Sequence, residues 1–531
     1  MRKSLLSVLI VLAIVIGSCA KRGTITGGLK DTLAPVMKSS TPKNGATNFN
    51  GKEIKLYFDE YVKLKNVGKQ LIISPPMKNK PEVLPYTASK YITIKLKDTL
   101  QPNTTYSLNF GQSIEDNNEA NILNQFKYVF STGNFIDSLT IGAKIKDALE
   151  LKTPTFVSVM LYEVNDKYND STIYKELPRY ITNSLDGLSA AKLENLKAGK
   201  YRLIALQDNG NNKFDPKIDK IGYINDFVTV PNDTLFELEL FKEELPFKTF
   251  KPSQVSGNRM VIGYEGNAKD VVVDVKKNGE FVPFTVTQFP KKDSLQVWFP
   301  AMKKDSLMVS ITKNNYQSDY LVKIKDQKKD TLAFSPSASD LQFRKNFKIH
   351  ADIPIVTIDK SKIRLLDKDS TAVKFNTRYD SFNQDVIFDF EKKPLEKYQM
   401  TVFPGALTDF YEKKNDTLRF SFSTRNTSDF GNLRVPLENI KRYPLIVEIT
   451  DDKGVVIESE YLESGNKVVF DLIEPKKYTL RVIYDDNKNK VWDAGNYMEK
   501  RQSEEVIYFP KELDVRANWD VEQPFDLRSM K

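Results

Sequence analysis

From about residue 50 onward, apolar residues recur at alternate positions or in short unbroken runs, and both patterns belong to β-strands. Ile54-Lys-Leu56-Tyr-Phe58 and Tyr91-Ile-Thr-Ile-Lys-Leu96 alternate, whereas Val271-Val-Val-Asp-Val275 and Val386-Ile-Phe-Asp-Phe390 are nearly continuous. Strands of this length, spaced about 8–12 residues apart by turn residues, predict β-sandwiches rather than βαβ units. Only Asn183 to Leu196 carries helical character. The pattern predicts an all-β chain of tandem sandwich modules forming an elongated rod.

Two units repeat along the chain. Tyr106-Ser-Leu-Asn-Phe110 precedes Phe130-Ser-Thr132 as Tyr398-Gln-Met-Thr-Val402 precedes Phe422-Ser-Thr424, with Asp116 or Asp409 midway and Pro102 or Pro394 ahead of the tyrosine. The second unit is Leu196-Lys-Ala-Gly-Lys-Tyr201 leading to Asp208, and Ile473-Glu-Pro-Lys-Lys-Tyr478 leading to Asp485. Each runs into an Asn-rich loop, Asn209 to Asp215 or Asn487 to Asp493. The order is therefore A, B, a middle stretch, A, B. Tyr106, Tyr201, Tyr398 and Tyr478 each follow a turn Pro or Gly, which is the placement of a tyrosine corner.

Composition narrows the chemistry. The chain has 531 residues, 79 Lys+Arg against 70 Asp+Glu for a net charge of +9, and a single His and a single Cys. One cysteine excludes an internal disulfide and any multi-cysteine zinc site. One histidine, His350 on a strand pattern, leaves little for His-dependent catalysis or a His-rich metal centre. The lysines are dispersed, with Lys303–Lys304, Lys328–Lys329 and Lys413–Lys414 the densest pairs, so no nucleic-acid footprint is present. Neighbouring carboxylates such as Asp451-Asp452 and Glu504-Glu505 would face opposite sides if they lie on a strand, and then cannot flank one bond. No nucleophile elbow or phosphate loop occurs.

Arg2 and Lys3, the apolar run Leu5 to Ile16, and Gly17-Ser18-Cys19 have the layout of a secretory signal whose apolar run is too short to span a bilayer. Ile16-Gly-Ser-Cys19 resembles the lipobox of bacterial lipoproteins, which implies that Cys19 is acylated and becomes the first mature residue. Ala20 to Lys30 reads as a flexible tether. Its basic start, Ala20-Lys-Arg22, lacks the acidic residues associated with surface export in Bacteroidota lipoproteins. The side of the outer membrane stays open.

Asp31-Thr-Leu-Ala-Pro-Val36, Ser40-Thr-Pro-Lys-Asn-Gly-Ala-Thr-Asn48, Ile54 to Glu60 and Tyr128-Val-Phe-Ser-Thr-Gly133 together resemble the SbsA-type bacterial Ig-like domain. The second A copy has Ala351-Asp-Ile353 where the first has Phe58-Asp-Glu60, so its resemblance rests on its last strands. The B unit resembles transthyretin-like (prealbumin-like) modules. The whole order, through Asn518-Trp-Asp520, is similar to Ig-like-domain lipoproteins of Bacteroidota, which implies structural, adhesive or scaffolding roles and no catalytic residues. The expected organisation is a signal peptide (1–18), a lipidated tether (19–31), an Ig-like domain (32–134), a transthyretin-like sandwich (135–244), a middle sandwich (245–338), a second Ig-like domain (339–426) and a second transthyretin-like sandwich (427–531).

Two recurrent features each admit two readings. Asp485, Asn487, Asn489 and Asp493 stand at positions 1, 3, 5 and 9, a spacing that turns oxygens toward a Ca²⁺ ion. Lys490 replaces the usual Gly at position 6, and Asn496 is not a bidentate acid. The shorter first copy offers Asp208, Asn209, Asn211 and Asp215, with Asp219 beyond. The alternative is a tight turn built on Asx hydrogen bonds. Eight Asp-Ser/Thr-Leu tripeptides, with hydroxyls at Thr32, Thr99, Ser138, Thr234, Ser294, Ser306, Thr331 and Thr417, suit turn exits into strands. They also resemble the Bacteroidota O-glycosylation sequon.

These readings describe a non-enzymatic outer-membrane lipoprotein without a cofactor beyond calcium, held in lipid through Cys19. It would bind other envelope proteins as an accessory subunit of a barrel-assembly, secretion or uptake machinery, without nucleic acid. The alternative is a surface module that binds polysaccharide or acts as an adhesin.

Overall fold

The structure is a computed structural model that describes residues 30–184, 189–290, 292–302 and 305–528. The apolar leader and Cys19 lie outside the described residues. Strands dominate throughout, and the alternation in the sequence is the alternation of burial. In Glu53–Leu64, for example, Ile54, Leu56 and Phe58 are buried while Glu53 and Tyr57 are exposed. Among the described residues the α-helices are two single turns, Val67–Gln70 and Thr172–Lys175. No helix among the described residues is long and apolar enough to cross a membrane.

Where it is described, the segment expected to be helical is not. Tyr180–Asn183 and Ala190–Leu196 are strands of two different sheets. Ala, Lys, Leu and Glu are good helix formers, but Ala191 and Leu193 fall on one face of a strand beside Leu139–Asp147 and are buried there. A register shift between Leu193 and Leu196, where Asn195 takes φ 60°, returns Leu196 to the same core. Tertiary packing overrides propensity.

Among the described residues five apolar cores follow one another along the chain, centred on Ile54–Phe130, Ile141–Leu240, Met260–Ile324, Leu341–Phe422 and Leu433–Leu527. The two A units share one topology. In the first, Met37–Thr41, Glu53–Leu64, Ser89–Lys95 and Glu82–Leu84 lie side by side, facing a sheet of Ile72–Ser74, Thr105–Asn109 and Lys127–Ser131. In the second, Phe334–Pro336, Phe347–Ala351, Asp385–Asp389 and Asn376–Asp380 face Ile363–Leu366, Lys397–Val402 and Leu418–Ser423 in the same order.

The two B units also match each other. Tyr180–Asn183, Ser158–Glu163, Gly199–Gln207 and Lys220–Tyr223 correspond to Val456–Leu462, Leu445–Thr450, Lys477–Tyr484 and Val506–Tyr508. Each opposing sheet ends in a parallel pair, Leu235–Leu240 on Leu139–Asp147 and Asp520–Glu522 on Gly431–Glu438.

The expected tyrosine corners are present. The Tyr201 and Tyr478 hydroxyls donate to the carbonyls of Lys197 (3.1 Å) and Glu474 (2.7 Å). Those of Tyr106 and Tyr398 accept from the N–H groups of Gln101 (2.9 Å) and Lys393 (2.8 Å). All four rings are buried, so each hydroxyl anchors a turn while its ring fills a core.

Successive modules touch at each joint. Thr105 Oγ1 donates to Asp137 (2.8 Å), Lys217 pairs with Glu265 (2.9 Å), the Tyr411 hydroxyl donates to the Asn258 carbonyl (2.8 Å), and Arg344 pairs with Glu458 (3.2 Å). The chain nevertheless departs from the expected rod, because the fifth module returns to the second. Trp492, Ala494 and Tyr497 join a core that otherwise consists chiefly of second-module residues, among them Met160, Ile204, Phe214, Tyr223 and Phe241. The physical reason is an apolar outer face. One side of the Ser158–Glu163 and Gly199–Gln207 pair packs against its own partner sheet, while Met160, Ile204 and Leu206 on the other side need a cover. Gly495 permits the approach, since a Cβ there would lie 2.4 Å from Phe241 Cζ and 2.6 Å from the Arg501 carbonyl oxygen.

Tyr497 is fully buried at this joint. Its replacement by alanine should cost about 3–5 kcal/mol, the usual range for deleting a buried aromatic ring. Urea unfolding should show this as a transition of the second and fifth modules shifted to lower denaturant, with the first module unaffected.

Candidate functional site

The Asn-rich loops are the most distinctive local feature of the sequence, and both sit at contacts between modules. In residues 485–493, Asp485 is buried and its carboxylate accepts from the N–H groups of Asn489 (3.1 Å) and Lys490 (2.9 Å). Asn487 and Asn489 accept from the N–H groups of Asn489 (3.0 Å) and Val491 (2.9 Å), and both side-chain amides donate to Asp493 Oδ2 at 2.7 Å. The first copy is built alike: Asp208 accepts from Asn212 N–H (2.7 Å), Asn211 from Lys213 N–H (2.9 Å) and Asp215 from Lys217 N–H (3.0 Å). This is the geometry of nested Asx turns. Among the described residues no group of three or more His, Cys, Asp or Glu is placed to hold a metal ion. The amides of Asn487 and Asn489 present N–H groups, not oxygens, to Asp493.

The turns rigidify loops that carry aromatic residues into the joint. Phe214 and Trp492, which occupy equivalent places in the two repeats, enter the same apolar cluster. Trp492 Nε1 donates to the Glu504 carbonyl (3.1 Å), while the Glu504 carboxylate is buried and accepts from the N–H groups of Asp486 (2.7 Å) and Asp493 (3.0 Å). Beyond Trp492 the second loop is longer, running to residue 505 before the next strand where the first ends at 219. The extra length delivers Tyr497.

Around Tyr497 the contacts are dense. Its ring meets Tyr223 edge-on, centroids 5.0 Å apart at 89°. Its backbone N–H donates to Glu243 Oε1 (2.5 Å), and its hydroxyl donates to Asp170 (3.2 Å) and lies 3.2 Å from that of Tyr168. Burial pushes the phenol far above its ordinary pKa, so it remains a neutral donor. The Tyr223 hydroxyl donates to the Asn496 carbonyl (2.9 Å), Gln502 Nε2 to the Tyr223 carbonyl (3.0 Å), and Arg481 to the Leu149 carbonyl (3.1 Å). Lys500 pairs with Asp170 at 2.7 Å. None of these residues belongs to a spacing motif. The only sequence signal is the greater length of the second Asn-rich loop.

Other candidate residues have plain structural roles. His350 is half-buried on Phe347–Ala351 with Nδ1 3.1 Å from Asp385. Glu504 and Glu505 lie in the loop before Val506–Tyr508, not on a strand, and point apart: Glu504 into its loop and Glu505 toward Lys441 and Arg442. Of the eight tripeptide hydroxyls, those of Thr32, Thr99, Ser138, Thr234, Thr331 and Thr417 belong to exposed residues, while Ser294 and Ser306 are half-buried in strands. Asp31 accepts from Leu33 N–H (2.9 Å) as an Asx cap does, whereas Asp305 already stands in the strand Asp305–Lys313 and accepts from the adjacent Ser306 N–H (2.8 Å). The leucines do not behave as one class: Leu295 and Leu307 are buried, whereas Leu33 and Leu235 are exposed.

Residues 31–132 match the family model described as bacterial Ig-like domain. No curated protein matches the chain. Among solved structures, the chain is similar to the S-layer protein rSbsC at 11% identity and a TM-score of 0.14, over 91% of this chain and 67% of that one. It is similar to SGBP-B of the Bacteroides ovatus mixed-linkage glucan utilization locus, solved with a mixed-linkage heptasaccharide, at 11% identity and 0.18, over 70% and 93%. It is also similar to the BSP domain of a biofilm-associated protein at 9% and 0.15, over 95% and 99%.

The joint carries a pH dependence with a definite sign. Burial raises the Glu243 carboxyl above the usual carboxylate range, against the opposing hydrogen bond from Tyr497, and raises Glu504 likewise. The folded chain therefore holds these protons to higher pH than the unfolded chain, and their contribution to stability falls as pH rises from the ordinary glutamate value through the raised ones. Glu243→Gln keeps an acceptor for the Tyr497 N–H and removes the buried charge. It should raise the urea midpoint at pH 7, with the gain shrinking toward pH 4.

Proposed function

We propose that the protein is a non-enzymatic, lipid-anchored scaffold of the bacterial outer membrane, an accessory subunit that presents a preformed surface to other envelope proteins. The observation that carries this reading is the return of the fifth module onto the second through Tyr497, Tyr223 and Glu243. Independent sandwiches on flexible linkers would pay an ordering cost each time they bound a partner. Modules joined through buried contacts have met that cost on folding.

The lipobox-like Ile16-Gly-Ser-Cys19 supports anchoring, since a doubly acylated cysteine gives stable attachment where one chain is marginal. The anchor confines the scaffold to the membrane surface and raises its effective concentration toward a membrane-embedded partner. The first module, a bacterial Ig-like domain, and the side-chain roles found for His350, Glu504 and Glu505 fit a binding rather than a chemical task.

The test is an affinity purification from gently solubilised outer membranes, comparing the native chain with Tyr497→Ala and Cys19→Ser. The native chain should bring down a defined set of membrane proteins, Tyr497→Ala should lose most of it while remaining membrane-bound, and Cys19→Ser should lose acyl labelling and membrane retention. A native chain that purifies alone contradicts the scaffold reading. Acyl labelling that persists in Cys19→Ser contradicts the anchor.

A further inference from the structure

Between the first and second modules lies a cleft of about 940 Å³, at the upper end of the size range of ligand sites. We infer that it binds a short acidic oligosaccharide. This inference stands apart from the scaffold reading, since it uses a different joint and different residues.

Three observations converge on a sugar. Tyr86 lies at the cleft with 86% of its surface exposed and fills no core, leaving its ring free to cover the apolar face of a pyranose. Opposite it, the second module contributes Phe156 at φ 58°, an uncommon conformation for an aromatic residue, under the Lys69 ammonium at 4.4 Å from the ring centroid. At the end of Tyr180–Asn183, Asn183 Oδ1 is a buried acceptor without a hydrogen-bond partner among the described residues, and Asn183 lines the same cleft. A buried acceptor of this kind is costly unless a donor reaches it, and a sugar hydroxyl is such a donor.

The acidic character follows from the charges. Lys69, Lys80 and Lys97 are exposed along the first-module wall, and among the described residues none forms a salt bridge. Two carboxylates, Glu82 and Asp208, also line the cleft, and Asp208 is engaged by the Asn212 N–H at 2.7 Å. The excess of ammonium groups favours a ligand that brings its own carboxylates, as a hexuronate chain does. A plain anion would satisfy the lysines but would leave Tyr86 and Asn183 without a role.

The experiment is isothermal titration calorimetry of the full chain in detergent with tetragalacturonate, against neutral cellotetraose and against inorganic phosphate as competitor. The expected result is one site per chain for tetragalacturonate, none for cellotetraose, and no displacement by phosphate. Tyr86→Ala removes a solvent-exposed ring without disturbing a core and should weaken binding about tenfold. Lys97→Ala should weaken it and flatten its salt dependence. Absence of binding, equal binding of cellotetraose, displacement by phosphate, or an unchanged affinity in Tyr86→Ala would each overturn the proposal.

Discussion

The arrangement of this molecule depends on the burial of one ring. Tyr497 leaves a loop of the fifth module, fills a gap on the outer face of the second, and brings its backbone N–H to Glu243 across a separation of 254 residues. The loop that delivers it is held by Asx turns, so little conformational freedom remains to be lost when the ring docks. The Tyr497 hydroxyl and N–H and the flanking carbonyls of Asn496 and Arg501 all find partners. The second, third, fourth and fifth modules, joined in sequence by their own contacts, are closed into a circuit by this one.

Duplication gives the closure its logic. The second and fifth modules have the same strand order, the same parallel closing pair and the same Asn-rich loop after the tyrosine-corner strand. Phe214 and Trp492, equivalent in the two copies, end in one apolar cluster. A loop that in each copy bridges strands has become, in both, the place where modules meet: the second copy reaches the second module, and the first copy lines the cleft against the first module. The contact is largely apolar at its centre, with ion pairs such as Lys500–Asp170 at its edge, where charge contributes little to stability and more to register.

Much of the fold was legible because its cause is local. Alternation of apolar residues follows from the pleat, and the four tyrosine corners follow from a turn residue placed before a tyrosine. The A and B repeats are visible as spacings and reappear as matching sheet orders. What could not be read has non-local causes. Ala190–Leu196 has helix-forming residues but lies against Leu139–Asp147, and a neighbouring strand decides its conformation. The rod expectation failed because the apolar residues that cover the second module's outer face are Trp492, Ala494 and Tyr497, hundreds of residues away in a loop that reads as polar. Asp485, Asn487, Asn489 and Asp493 were legible as a built loop, and their hydrogen bonds are those of the turn. Tyr86 and Asn183 carry no motif, and only the approach of two modules brings them to one cleft.

The central claim is that the chain closes on itself through the second and fifth modules. Electron–electron resonance distances between spin labels on the exposed positions Lys167 and Lys488, introduced as Lys167→Cys and Lys488→Cys in a chain without Cys19, test it most directly. The closed arrangement predicts a single narrow distance distribution that broadens when Tyr497→Ala is added. A broad distribution in the native chain, or a narrow one that Tyr497→Ala leaves unchanged, would contradict it.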